Sequence, residues 1–165
     1  MKFFTSVVFL AATATASPIP RTFNLVSSSA SDESHNGLYL STQHVDPLNS
    51  KAVFRDTADA AEFYLLDGTV RYNAPNGAPY ALALVSGDEV QSEVDVSVSP
   101  SSDSTGFSLT SDDTLVTDNE NWGGWLVCDG AGDLPGLYYH NNSNGDGVPD
   151  GCDPVELDAV YKDSS

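Results

Sequence analysis

Seven letters, "EVDVSVS" from Glu93 to Ser99, limit the fold more than any other part of this chain. Val94, Val96 and Val98 stand on one face of an extended segment, and Asp95, Ser97 and Ser99 on the other. A period of two is the signature of a strand with one face buried and one wet, because successive side chains point to opposite sides of the pleat. The same alternation returns in "PVELDAVY", where Val155, Leu157, Ala159 and Tyr161 oppose Glu156, Asp158, Val160 and Lys162. "TFNLV", "GLYLSTQHV", "AVFRD", "YALALV", "GFSLT", "TLVT", "GWLVC" and "GLYYH" add short runs rich in β-branched or aromatic residues, which fit a pleated, half-buried surface. In "FYLLDGTVRY" two such runs flank Asp67-Gly68, a pair suited to a hairpin turn whose two central residues need positive φ. Only "TADAAEF", Thr57 to Phe63, has room for a helical turn. About ten short strands separated by Gly-, Ser-, Asn-, Asp- and Pro-rich gaps predict an all-β fold, a single-domain antiparallel β-sandwich or barrel with one disulfide. The letters show no internal repeat and no domain boundary.

The two ends differ from this body. "MKFFTSVVFLAATATA", residues 1–16, has a basic start, a short apolar run and small closing residues, the parts of a secretory signal peptide. The run is shorter than the roughly 20 residues needed to span a bilayer. Cleavage after Ala16 leaves 149 of the 165 residues, enough for one domain with a core. Residues 17–21, "SPIPR", read as an extended leader because two prolines oppose helix and sheet pairing. The β-domain is expected over 22–162, with 163–165 as a tail. "YKDSS" lacks the apolar end of a glycolipid-anchor signal, so an extracellular, soluble product is expected.

Charge narrows the partners. There are 24 acidic residues against 6 basic ones, and such a surface repels nucleic acid and anionic membranes. Cys128 and Cys152 are the two cysteines, and an oxidising export route makes one disulfide the default. There is no CxxC, and His35, His44 and His140 are scattered, which argues against a redox or zinc role. Closing this span would stabilise the fold by about 3–4 kcal/mol on the loop-entropy estimate.

"NNSNGDGVPDGCD", Asn141 to Asp153, spaces oxygen donors as a calcium loop does. Read from Asn142, the donors fall at Asn142, Asn144, Asp146, the carbonyl of Val148, Asp150 and Asp153, with Gly147 at the sharp turn. Calcium takes six to eight oxygens, so the spacing supplies most of a site. The core "GDGVPDGCD" resembles the calcium-binding thrombospondin type 3 repeats. It departs from calcium loops in three ways: Asn comes first, Asp comes last, and the loop stands alone between strands. The competing expectation is a polar hairpin loop, rich in Asn, Asp and Gly because turns need them. No cofactor is expected on that reading; on the other, weakly bound calcium stabilises the module. Asn141-Asn142-Ser143 is also an N-glycosylation sequon, which places a glycan on Asn141 if the loop is exposed.

No GxSxG elbow, HExxH, phosphate-binding glycine loop or GxGxxG occurs. His44 is expected at a strand end, packed on the face of Leu38 and Leu40. Glu62, Glu93 and Asp129 qualify for the paired-carboxylate chemistry of glycoside hydrolysis by residue type alone. Trp125 is expected in the core beside the disulfide. Trp122, between Asn121 and Gly123, is either core or a flat ring on a sugar- or protein-binding surface, to which Tyr138 and Tyr139 of "LYYH" add further aromatic rings.

"GGWLVCD", then "GLYY", then a second Cys leading into "PVELDAVY", resembles an uncharacterised family of small proteins secreted by filamentous fungi. "FNLVS", "NGLYLS" and "AEFYLLDGT" fit the same scheme, so the resemblance covers most of the mature chain. The layout is more loosely similar to a fungal cell-wall protein of spore-forming cells. The resemblance implies a signal peptide, a compact β fold, a Cys128–Cys152 disulfide and an extracellular or wall location; it brings no catalytic residue. Three functions follow as expectations. The first is a secreted, non-enzymatic domain that binds wall polysaccharide or an extracellular protein. The second is a calcium-stabilised extracellular module, and the third an acidic carbohydrate-active enzyme.

Overall fold

The computed structural model describes residues 20–98, 104–130 and 132–162. The expected signal at 1–16, most of the 17–21 leader, Ser99 and the 163–165 tail lie outside the described residues. Among the described residues twelve strands follow one another in three groups of four. β1 (Phe23–Ser28), β2 (Tyr39–His44), β3 (Asn49–Arg55) and β4 (Phe63–Leu66) make the first. β5 (Thr69–Tyr72), β6 (Ala81–Leu84), β7 (Gln91–Ser97) and β8 (Phe107–Leu109) make the second. β9 (Leu115–Thr117), β10 (Trp122–Cys128), β11 (Gly136–Asn141) and β12 (Cys152–Tyr161) make the third.

The first and last strands of each group run round a closed antiparallel barrel. β1 pairs with β4, β4 with β5, β8 with β9, and β12 with β1. Two narrower joints complete the ring. The Phe107 N–H donates to the Gly68 carbonyl at 2.9 Å, linking the second hairpin turn to β8. Thr114 bridges Asp158, and the Ala159 N–H donates to the Asp113 carbonyl at 2.8 Å. The middle strands form three hairpins, β2–β3, β6–β7 and β10–β11. Their inner strands β3, β7 and β11 each pair with the other two, forming a cap. This is the three-fold strand plan of a β-trefoil.

Each segment read as a strand from its alternation is a strand. Val155, Leu157 and Ala159 are buried in β12 while Glu156 and Val160 face out. Asp67 and Gly68 take φ of 50° and 74° in the β4–β5 turn, as that pair predicts. "TADAAEF" makes only a 3-10 turn over Thr57–Asp59, and a second one over Glu33–His35 has no signal in the letters. The three-fold repeat is structural. Leu25, Val70 and Leu115 recur every 45 residues and are fully buried. Leu40, Leu82 and Trp125, all nearly or fully buried, recur at 42 and then 43 residues. Only apolar character repeats, with different side chains, so the sequence shows no period. Trp125 is core, as expected: it is 2 % exposed and its Nε1 donates to the Leu115 carbonyl at 2.7 Å.

Cys128 and Cys152 face each other across β10 and β12, with Cα atoms 4.0 Å apart, and are bonded. The 24-residue span they close holds β11 and both loops around it. The staple therefore ties the third cap hairpin to the barrel. Replacing both cysteines by serine is expected to lower the unfolding free energy by about 3 kcal/mol, read as an earlier denaturant midpoint. An unchanged midpoint would show that the β10–β12 ladder holds the hairpin alone.

Candidate functional site: a cleft at the centre of the cap

Alternation gives each inner cap strand a core face and an outer face. On the core side Ala52 and Phe54, Val94 and Val96, and Leu137 and Tyr139 are buried. On the outer side Lys51 and Val53 of β3, Glu93 and Asp95 of β7, and Gly136 and Tyr138 of β11 line a cavity of about 270 Å3. Lys51 lies opposite Asp95, Tyr138 opposite Glu93, and Val53 opposite Gly136. Gln43, His44 and Val45 at the end of β2 form part of the rim. Val53, Asp95 and Tyr138 are spaced by 42 and 43 residues, the interval of the core positions Leu40, Leu82 and Trp125. One position of the three-fold plan thus carries a methyl-bearing side chain, a carboxylate and a phenol.

Lys51 Nζ donates to Glu93 Oε1 at 2.8 Å, and both side chains are about half exposed, at 47 % and 48 %. Such an ion pair contributes little stability; its effect is to aim the two groups. The hydrogen bond to Glu93 raises the Lys51 ammonium above the ordinary lysine range. Asp95 is shifted the other way for a carboxylate. Partial burial raises it above its ordinary value, the Glu93 charge adds to the rise, Lys51 opposes it and Asp46 adds a further rise. The lysine is already claimed by Glu93, so Asp95 is the carboxylate left short of positive charge. Tyr138 is placed by a close approach. A Cβ on Gly136 would come within 2.8 Å of Tyr138 Cε2, so the phenol ring lies across a position that only glycine leaves open.

Sequence reasoning named Glu93 by residue type and Tyr138 as one of several aromatic rings, and missed Lys51, Asp95 and Gly136. Asp95 sat on the polar face of an alternating strand, and nothing local separates a solvated face from the floor of a cleft. The 42- and 43-residue register would have found the group, had it been visible. His44 differs from expectation: it is exposed at the end of β2 and lines the cleft, because the core face of that strand ends with Leu40. Glu62 is tied to Lys162 and Asn73, and Asp129 is exposed just after β10. Trp122 is part-buried, with its ring 5.4 Å from that of Trp125 at 62° and its Nε1 buried, so it stands more as core wall than as an open platform.

The loop expected to bind calcium spreads its donors. Asn144 Nδ2 donates to the Gly87 and Glu89 carbonyls at 2.7 and 2.8 Å. Asn142 contacts His140 Nδ1 through Oδ1 and the Trp122 carbonyl through Nδ2, and His140 Nε2 reaches the Gly147 carbonyl at 3.1 Å. Asp153 is buried, accepts the Asp32 N–H at 2.7 Å and lies 3.7 Å from His35 Nδ1. Asp146, Val148 and Asp150 are exposed. Among the described residues no three His, Cys, Asp or Glu side chains group as metal ligands. The sequon asparagine is not exposed as the loop reading supposed. Asn141 is 3 % exposed, its Nδ2 donates to Ser92 Oγ at 3.2 Å and its Oδ1 accepts from Ser143. The nitrogen that a glycan would occupy is thus packed against Ser92.

A family model described as a domain of unknown function, DUF7907, matches residues 20–161, and the chain belongs to that family. The matched span takes in the whole barrel and cap. Comparison with curated proteins finds no match, and comparison with solved structures finds none. The disulfide fits an oxidising compartment; among the described residues no helix is long and apolar enough to cross a membrane.

Two outcomes follow from this geometry. Because the folded state raises the Asp95 pKa, its ionised form costs stability, and the cost grows as pH rises from about 3.9, the ordinary aspartate value, through the native one. Asp95→Asn is therefore expected to melt above the wild type at pH 7, with the two melting temperatures converging below pH 4. A variant that melts lower at pH 7 would refute the assignment. Millimolar calcium is expected to leave Tm unchanged, since Asn142, Asn144 and Asp153 are already engaged with the protein; a rise would show that they re-form around the metal.

Proposed function

We propose that this chain is a secreted, non-enzymatic binding domain of the fungal extracellular space or cell wall, taking part of a polysaccharide in the cap cleft. The observation that carries the reading is the cleft itself. A recess in the middle of a rigid three-strand junction offers two carboxylates, an ammonium and an aromatic ring. Sugars are held by that combination: hydroxyls bridge charged donors and acceptors, and the apolar ring face packs on an aromatic side chain. Small-ligand sites likewise combine apolar walls with a few convergent polar groups. The secretory character of residues 1–16 and the Cys128–Cys152 bond support export.

Binding without turnover is favoured over hydrolysis by the placement of the carboxylates. Glu93 and Asp95 are two residues apart on one strand and stand side by side on one wall. Glycoside hydrolysis needs its two carboxyls on either side of the scissile bond. Glu93 is also held in an ion pair with Lys51.

The test is retention on insoluble wall polysaccharides by the wild type and Tyr138→Ala, together with assay of the supernatant for new reducing ends. The wild type is expected to be retained, the variant to be retained several-fold less, and no reducing ends to appear. Equal retention of both proteins would remove the cleft as the binding site, and released sugar would make the protein an enzyme.

A further inference from the structure

The cleft does not balance its own charge. Glu93 and Asp95 face inward and Asp46 adds its field to Asp95 from the β2–β3 turn. Lys51 is the lysine of the cleft, and Glu93 holds its ammonium at 2.8 Å. His44 stands at the rim, not over Asp95's own strand partner, which is Lys51 on one side and Ala83 on the other. Among the described residues, one half-buried carboxylate therefore lacks a dedicated counter-charge. Its equivalents in the other two units are Val53 and Tyr138, so the position itself does not require an acid. A buried charge short of a partner destabilises the free protein and strengthens whatever supplies that partner.

The geometry points to an amino sugar as the ligand: a glucosamine-type residue whose primary ammonium is received by Asp95 beside Glu93, and whose ring packs on Tyr138. This rests on the polysaccharide-binding reading and specifies its ligand. An ammonium supplies the missing charge and three donors, whereas an N-acetylated or neutral residue supplies neither a charge nor the same donor set. An acidic sugar is opposed by both carboxylates and by the formal net charge of −18. The cavity, about 270 Å3, is near the lower end of the roughly 300–1,000 Å3 seen for ligand pockets, which fits one sugar residue rather than a long segment. Tyr138, fixed across Gly136, and Val45 at the rim give that residue an apolar flank that a bare metal ion or a simple amine would leave unused.

The experiment is calorimetric titration of the full mature protein, at pH 7 and moderate salt, with short oligomers of equal length. These are β-linked glucosamine, its N-acetylated form and glucose, with spermidine as a non-sugar amine. Glucosamine oligomer is expected to bind at least about tenfold tighter than the other three, a preference of about 1.4 kcal/mol. Asp95→Asn is expected to remove that preference while remaining folded by its melting curve. Glu120→Gln, which removes one exposed charge away from the cleft, is expected to keep it. Gly136→Ala, which displaces the Tyr138 ring, is expected to weaken glucosamine binding but leave spermidine binding as it was. Equal binding of all three sugars would overturn the amino-sugar assignment and leave the polysaccharide reading standing. Binding of spermidine as tight as glucosamine, or an equal loss in Asp95→Asn and Glu120→Gln, would show attraction to the acidic surface at large and overturn it too. No binding of any sugar, with no retention on wall polysaccharide, would sink the underlying reading as well.

Discussion

The rest of the molecule depends on the way β3, β7 and β11 share their edges. Each has a hairpin partner on one side and divides its other side between the two remaining strands. The first half of β3, Asn49 to Lys51, pairs with the second half of β7, Asp95 to Ser97. The first half of β7, Gln91 to Glu93, pairs with the second half of β11, Tyr138 to His140. Gly136, at the start of β11, pairs with Val53 in the second half of β3. The pattern is cyclic, so the hydrogen-bonding groups along these edges find partners without an open sheet edge, which is the liability of most β proteins. Where each strand leaves one neighbour for the next, the chains splay. The outer side chains flanking that point cannot cover one another, and the cavity is what remains.

The inner side of the same junction explains why the opening does not collapse. Phe54, Val96 and Tyr139 point into the core beneath it, beside Leu40, Leu82 and Trp125. A cleft floored by a packed core is rigid, since interiors packed at crystal-like density do not deform continuously. Asp95 consequently cannot relax toward solvent by bending its strand, because Val94 and Val96 on either side are buried. Burial at this position, with the Glu93 charge beside it, is what raises its pKa.

How much of this could be read from the letters varies with the range of the interaction. Strands were legible because "EVDVSVS" and "PVELDAVY" carry their period within seven or eight residues, and the Asp67-Gly68 turn because its φ requirements are local. The disulfide was legible because only one pairing of Cys128 and Cys152 exists. The choice between sandwich and barrel was not. It rests on joints such as Phe107 on Gly68 and Ala159 on Asp113, each a single backbone contact between distant segments. The site was hidden for the same reason. Lys51, Asp95 and Tyr138 become neighbours only when three hairpins take one register, and that register is written in the repeat of burial, with Leu40 and Leu82 matched by a tryptophan. Conversely, in the most conspicuous stretch of letters, Asn141 to Asp153, several Asn and Gly residues meet turn geometry and local bonds. Gly145, Gly147 and Gly151 all take positive φ there, and Asn144 clamps the neighbouring β6–β7 connection.

The single covalent link joins β10 to β12, the strand that also closes one of the narrow joints of the ring. β9 and β12 meet through one bridge and one further hydrogen bond, whereas β1 and β12 share a six-residue ladder. The third unit also has the longest excursion within its hairpin-to-barrel return, from Asn142 to Gly151. Longer loops cost more chain entropy to close, and this loop bears on β11, the strand that supplies Tyr138. Joining Cys128 to Cys152 fixes both ends of the 24-residue span that carries the ring. It removes disordered alternatives from the unfolded chain, and its stabilising effect falls on the third hairpin, at the end of the ladder that joins β10 to β12 from Trp125–Val155 to Cys128–Cys152. In that sense the staple serves the cleft: a Tyr138 ring held to within a contact distance of Gly136 needs a strand that does not fray, and the bond lies at the strand pair where fraying of the third unit would begin.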